Sequence, residues 1–170
     1  MKPNTVGRAS RDSLQPHPVY PLEPGTGFVS GTIILSQDGE MPVEFLSPQD
    51  RIITRDAGFV RLAHISRSRQ SIRAIRFAAG SLGHTRPEQD LILPENQMVL
   101  VRDWRAKAMF GADQAMVRAV DLVDGEFICD LGMRAMVVHQ LHFSAPHVVY
   151  AGGLEVAGTG FQNAALRPAA

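Results

Sequence analysis

The sequence predicts an all-β domain, and three observations support this prediction. Apolar residues fall in short runs, such as Thr32-Ile33-Ile34-Leu35 and Met98-Val99-Leu100-Val101, which have the length of buried strands. Turn signals such as Asp38-Gly39 separate these runs. Helical periodicity is confined to two short segments, about 104–110 and 114–120. Many short strands with regular turns are typical of an all-β fold.

The first strands are expected to pair around tight turns. Residues 32–35 and 41–45 flank Asp38-Gly39, a strong hairpin signal. The runs 51–54 and 59–62 flank a second turn, Asp56-Ala57-Gly58. Residues 71–77 then form an extended run with interleaved arginines, the pattern of a half-exposed strand.

The second half of the chain repeats this alternation of strands and turns. Residues 98–101 and 135–138 are expected to be buried strands. Asp124-Gly125 separates 121–123 from 127–129 and predicts another hairpin. The last predicted pair, 148–150 and 154–156, is joined through Gly152-Gly153.

Length and composition predict one domain with two flanking segments. The chain has 170 residues with 45% hydrophobic content, enough for one substantial core. Residues 1–24 carry five prolines and few periodic apolar positions, so we expect a flexible arm there. Residues 25–156 form the predicted domain, and residues 157–170 are expected to be a flexible tail.

Charge and cysteine usage narrow the class of protein. The chain carries 17 basic and 17 acidic residues, a balance that favours neither nucleic acid nor a membrane surface as partner. No apolar run approaches the roughly 20 residues that span a bilayer, and the N-terminus lacks the apolar stretch of a secretory signal. The single Cys129 excludes an internal disulfide. We therefore expect a soluble protein and favour the cytoplasm.

Several sequence blocks resemble the Hint (hedgehog/intein) family in their order and spacing. The opening block runs from Gly27-Phe28-Val29-Ser30-Gly31 to Asp56-Ala57-Gly58, and a second block covers Asp90 to Val101. Asp121-Leu122-Val123-Asp124-Gly125 and the closing stretch from His142 to Glu155 complete the series. The resemblance spans residues 25–156 and implies a horseshoe-like β fold of two pseudo-symmetric halves.

The resemblance also implies a self-cleavage chemistry, for which this chain lacks the usual residues. The family's cysteine nucleophile corresponds to Gly27, and the histidine that protonates the departing amide corresponds to Gln97. Ser144 and Pro146 stand where the late block usually has an Asp and a His, with His147 one position further on. The C-terminal His-Asn of splicing members has only Gln162-Asn163-Ala164 as its nearest match.

These replacements favour a noncatalytic scaffold or interaction module for a protein partner, with no cofactor. The alternative is a self-processing domain that uses substituted residues, for instance Ser30 with His142 or His147. The simpler interpretation of Ser30 and Thr32 is a turn hydroxyl and a strand residue.

Other chemistry-bearing residues give weaker signals. His139, His142 and His147 are close in sequence, but residues three apart on a strand point to opposite faces, which argues against a metal site. Arginines recur between Arg51 and Arg76 without aromatic interleaving, so a solvated strand face is favoured over nucleic-acid binding. Cys129 lies in an apolar run and is expected to be a small buried hydrophobe.

Overall fold

The computed structural model describes residues 20–160 and confirms the all-β prediction. Within this range the chain forms twelve strands, one α-helix and two 3-10 helices, Val43–Phe45 and Ala119–Leu122. The strands are β1 (Phe28–Val29), β2 (Ile33–Ser36), β3 (Gly39–Pro42), β4 (Arg51–Thr54), β5 (Gly58–Arg61), β6 (His64–Phe77), β7 (Leu91–Pro94), β8 (Met98–Val101), β9 (Ala115–Arg118), β10 (Ile128–His142), β11 (Val148–Ala151) and β12 (Leu154–Ala157). The helix α1 (Trp104–Phe110) follows β8.

Two antiparallel sheets carry the domain. The smaller has the strand order β1-β10-β6-β7, and its long strands β6 and β10 pair from His64 opposite His142 to Phe77 opposite Ile128. The larger has the order β3-β2-β4-β11-β12-β8-β9, with β5 paired to β4. The main core between them includes Phe28. Phe28 is 1% exposed, and Gly27 before it is buried as well.

The predicted helix over 104–110 is confirmed, and both of its ends are capped. The Asp103 side chain accepts a hydrogen bond from the Arg105 N–H, which satisfies one of the free donors at the helix start. Gly111 adopts a φ of 66° and its N–H returns to the Lys107 carbonyl, which ends the helix.

The predicted helix over 114–120 is wrong, because that segment pairs with a strand. Ala115–Arg118 forms β9 and lies opposite β8, with Val117 facing Val99. Met116 and Val117 are both buried. Tertiary pairing and burial therefore override the local helical pattern.

Two predicted strands also have different structures. The strand predicted over 41–45 ends at Pro42, and Val43–Phe45 is a 3-10 helix. No hairpin forms across Asp124-Gly125 in this part of the described chain, because Ala119–Leu122 is a 3-10 helix. There, Oδ1 of Asp124 accepts the N–H groups of Glu126, Phe127 and Ile128 instead of a partner strand.

The described ends of the flanking segments contact the domain. Tyr20 stacks on His64 with 4.6 Å between ring centroids. Ala157 is the last residue of β12, and Thr159 bridges to His142. The remainder of the predicted arm and tail, with Gln162-Asn163-Ala164, lies outside the described residues.

Candidate functional site

Gly27 occupies a position that no larger residue fits without movement of the backbone. Its φ is +113°, a conformation that glycine adopts freely and other residues rarely do. A Cβ placed there would lie 2.7 Å from both the His139 carbonyl oxygen and Cγ1 of Val138. The backbone at Gly27 therefore leaves no space for a side chain.

Gln97 contacts the same glycine directly. The Gly27 N–H donates to Oε1 of Gln97 at 2.7 Å, and Nε2 of Gln97 donates to the Ala157 carbonyl at 2.7 Å. Gln97 is 3% exposed, so both bonds are shielded from water. One amide thus connects the start of β1 to the end of β12, and both of its polar atoms are engaged.

Gln140, which the sequence analysis did not single out, holds the segment before Gly27. It is fully buried on β10. Its Oε1 accepts the Glu23 N–H at 3.1 Å, and its Nε2 donates to the Glu23 carbonyl at 2.6 Å and the Thr26 carbonyl at 3.2 Å. The available signal was a glutamine inside the apolar run Val137-Val138-His139-Gln140-Leu141, since a buried amide must find partners.

Ser30 forms a hydrogen bond with a histidine that the sequence analysis did not pair with it. Its Oγ lies 2.9 Å from Nε2 of His139, which is buried on β10. Burial is the main cause that lowers the pKa of His139, and the Arg67 charge acts in the same direction against the opposing charge of Glu44. A neutral imidazole in this position can accept the serine proton.

The amides around Ser30 are all hydrogen-bonded. The Ser30 N–H donates to the Val137 carbonyl, and the Thr32 N–H donates to the Val29 carbonyl. The Gly31 N–H donates to the Glu44 carboxylate at 2.8 Å. Acyl transfer depends on donors aimed at the developing negative charge. An attack by Ser30 would place that charge on the Val29 oxygen, which already accepts the Thr32 N–H. The departing Ser30 nitrogen, by contrast, faces the Val137 carbonyl and no proton donor.

His142 belongs to a separate aromatic cluster. Its Nε2 lies 2.8 Å from Oγ of Ser66, and its ring lies 5.6 Å from His64 and 5.1 Å from Tyr20 between centroids. Burial first, and the nearby His64 second, lower the pKa of His142. The structure does not bring His142 to Ser30.

His147 is paired with Asp56. Its Nδ1 lies 2.7 Å from Oδ2 of Asp56, whose Oδ1 accepts the Val148 N–H at 3.0 Å. Partial burial alone would raise the pKa of Asp56, but the hydrogen bonds from Val148 and His147 lower it overall. Ser144 and Pro146 are exposed in the turn between β10 and β11. Ser144, Pro146 and His147 lie in the turn between β10 and β11, whereas Ser30 follows β1.

Two arginines of the predicted stripe, and Cys129, have structural partners. Arg73 faces Glu95 and Asp130, and Arg76 faces Asp90. Cys129 is half-buried, with its thiol 3.5 Å from the Glu126 carbonyl.

Among residues 20–160, no three His, Cys, Asp or Glu side chains are grouped to hold a metal ion. No helix in the described range is long and apolar enough to cross a membrane.

Comparisons with known proteins agree on the architecture. The chain resembles an intein-like domain from Clostridium thermocellum at 14% identity, with a TM-score of 0.54 over 78% of this chain and 97% of that one. It resembles a DnaB intein from Synechocystis sp. PCC 6803 at 13% identity, with a TM-score of 0.53 over 79% and 99% of the two chains. A variant of the gp41-1 intein matches at 10% identity, with a TM-score of 0.51 over 78% and 98%.

The structural likeness, at these identities, shows a shared fold. No curated protein sequence matches the chain. A protein family described as the Hint domain matches residues 26–158, which is most of the sequence and includes Gly27, Gln97 and all of the strands described above. The chain therefore belongs to the Hint domain family, and its fold is the all-β Hint fold.

Proposed function

We propose that this Hint domain does not cleave itself and acts as a noncatalytic scaffold or interaction module. The observation that carries the proposal is the hydrogen bond from the Gly27 N–H to Oε1 of Gln97 at 2.7 Å. Family resemblance assigns a nucleophile to the first position and a proton donor to the second. Gly27 has no side chain to attack with. The amide oxygen of Gln97 accepts a hydrogen bond from the Gly27 nitrogen, which is the atom that an acid would have to protonate.

The two glutamines support the proposal by giving the former reaction centre a structural role. Gln97 joins the start of β1 to the end of β12, and Gln140 fixes residues 23–26. A buried amide with all its partners satisfied stabilises one conformation of the backbone. The segment that self-cleavage would need to distort is therefore held in place on both sides.

A second candidate function is self-processing by Ser30, and the hydrogen bond to His139 favours it. A serine hydroxyl activated by a neutral imidazole is a known route to an ester intermediate. The protonation of the leaving group weighs against it. The Ser30 nitrogen would have to depart, and its N–H donates to the Val137 carbonyl at 3.1 Å, so it faces an acceptor and not an acid.

One experiment separates these two candidates. The full chain is expressed with a reporter protein fused before its first residue, and its intact mass is followed over days with and without added thiol. The proposal expects a constant mass. Cleavage near residues 23–30 that disappears in Ser30→Ala but persists in Ser66→Ala would overturn it. Ser66→Ala is the matched control, because Ser66 also bonds a buried histidine, at 2.8 Å.

A further inference from the structure

A cavity of about 280 Å³ lies beside the turn between β11 and β12, where Gly152 and Gly153 line it. Three acidic residues line it: Glu40 on β3, Glu88 and Asp90. Asp90 is engaged, since it accepts the Ala79 N–H and faces Arg76. No arginine or lysine lines the cavity. Its electrostatic field therefore favours a cation and disfavours an anion.

Two of these carboxylates are free to bind a ligand. Within residues 20–160, neither Glu40 nor Glu88 makes a side-chain hydrogen bond or an ion pair. Both are exposed at the cavity wall. The backbone around them is occupied, because the Gly152 N–H already donates to the Ile33 carbonyl. The side chains of Gln89 and Tyr150 also line the cavity and can donate, but its charged groups are all acceptors.

A buried hydroxyl gives an independent indication of a missing partner. Thr32 lines the same cavity, is 4% exposed, and its Oγ1 has no hydrogen-bond partner among the described residues. Buried hydroxyls in folded proteins are nearly always hydrogen-bonded, so each exception requires an explanation. A donor group bound in the cavity would satisfy this oxygen.

The apolar wall distinguishes an organic cation from a metal ion. Leu35 and Leu91 line the cavity beside the carboxylates. Methylene groups pack favourably on such a wall while a charged end reaches the carboxylates. Among the described residues, no cluster of ligating side chains suits a metal ion.

We propose that this cavity binds a cationic side chain, arginine or lysine, of a protein partner. The apolar stem lies against Leu35 and Leu91, and the charged end donates to Glu40, Glu88 and the Thr32 hydroxyl. This inference deepens the proposed function, on which it rests for the role of an interaction module.

The test measures binding of small probes to the full chain by NMR chemical-shift perturbation. The probes are Nα-acetylarginine methylamide, Nα-acetyllysine methylamide and the neutral isostere Nα-acetylcitrulline methylamide. We expect one or both cationic probes to shift the amides of Thr32, Glu88 and Gly153, and citrulline to leave them unchanged. Equal shifts from citrulline, or no shifts from either cation at millimolar concentration, would overturn the inference.

Variants then assign the contacts. Glu40→Gln and Glu88→Gln should each weaken the cationic probe roughly twofold to fivefold, as expected for a partly exposed ion pair. Glu126→Gln, an exposed acid on another loop, should leave the affinity unchanged. Equal affinity in the double variant Glu40→Gln/Glu88→Gln would contradict the assignment.

Thr32→Val separates a role of the hydroxyl in binding from a role in the fold, because stability and probe affinity are measured on the same variant. Valine keeps the shape and removes the unsatisfied oxygen, so the ligand-free protein should be as stable as the wild type or more so. The same variant should weaken the probe severalfold. Loss of stability with unchanged affinity would assign Thr32 to the fold alone. Intact mass, measured on the same samples, reports self-cleavage independently, so failure to bind and failure of the proposed function are distinguishable.

Discussion

Gly27 and Gln97 share a hydrogen bond of 2.7 Å in which the glycine nitrogen is the donor and the glutamine oxygen the acceptor. The two residues lie 70 positions apart in the sequence. The same glutamine donates to the Ala157 carbonyl, so it joins the first and last strands of the domain. The two hydrogen bonds of Gln97 therefore tie the ends of the domain together, and their contribution to stability can be tested by substitution.

Gln97→Ala should lower the free energy of unfolding by about 2–6 kcal/mol. The variant leaves two buried backbone groups, the Gly27 N–H and the Ala157 carbonyl, without partners, at about 1–3 kcal/mol each. Urea denaturation measures the effect. Gln37→Ala, at an exposed glutamine, is the control and should change stability by less than about 0.5 kcal/mol. Equal effects from the two variants would show that the buried amide contributes little.

Gly27→Ala should destabilise the domain more than Gly31→Ala. Both glycines have positive φ, so alanine at either position costs about 1–2 kcal/mol in backbone strain. At Gly27 the added Cβ also meets the His139 carbonyl and Val138, whereas at Gly31 no atom lies within 4 Å. The overlap at Gly27 adds roughly 1–3 kcal/mol. Thermal or urea unfolding of the two variants checks the difference, and equal losses would contradict it.

Gly27→Cys alone should not produce cleavage. The thiol would enter a position where its own Cβ forces the backbone to move, and Gln97 supplies no proton to the departing nitrogen. Intact-mass measurement of a reporter fusion checks this. Efficient thiol-dependent cleavage in that single variant would show that the rest of the site is still competent.

Gln140→Leu should release residues 23–26 from the domain while the core stays folded. The variant removes the acceptor for the Glu23 N–H and the donor to the Glu23 and Thr26 carbonyls. A lost hydrogen bond of about 1 kcal/mol raises the exchange rate of an amide held by local structure about fivefold or more. Hydrogen exchange of the Glu23 amide reports the effect, with Ile75 in the core as the reference. Unchanged protection at Glu23 would contradict the role given to Gln140.

Stability should fall as the solution is acidified through the range in which histidine titrates. Burial lowers the pKa of both His139 and His142 below the ordinary value of 6.5. The unfolded chain therefore binds protons that the folded chain does not, so the free energy of unfolding decreases as pH falls through the unfolded pKa and levels off below the folded one. Urea denaturation between about pH 7.5 and about pH 5 measures this.

A matched pair of variants tests the origin of that pH dependence. His142→Gln removes one of the two titrating rings and should reduce the loss of stability on acidification. Gln37→Ala changes no titratable group and should leave it as in the wild type. A pH dependence that stays unchanged in His142→Gln would assign the effect to other residues.

The sequence predicted elements whose signals are local. Asp103 and Gly111 cap α1, and both caps are readable in the sequence. The helix prediction for residues 114–120 was wrong because the structure of this segment depends on its pairing with β8, which a local pattern does not include. The hairpin prediction at Asp124-Gly125 was wrong for a related reason. The Asp124 carboxylate accepts three backbone N–H groups that a partner strand would bind in a hairpin.

The site was predicted in part. Gly27 and Gln97 could be placed from the family resemblance, but their mutual hydrogen bond depends on a contact across 70 positions. Ser30 was paired with the wrong histidine because the register of β1 on β10 is set by the sheet. Phe28 lies opposite His139, and this places Nε2 of His139 within 2.9 Å of the Ser30 hydroxyl.

The contact between Glu23 and Gly160 has a consequence for the connectivity of the chain. The Gly160 N–H donates to the Glu23 carboxylate at 3.0 Å, beside the two glutamines that fix residues 23–27. Because the two ends of the described domain touch, a short peptide could join them without stretching either strand. The exposed residues Ala112 and Asp113 after α1 then offer a place for new termini, so the domain is suited to circular permutation.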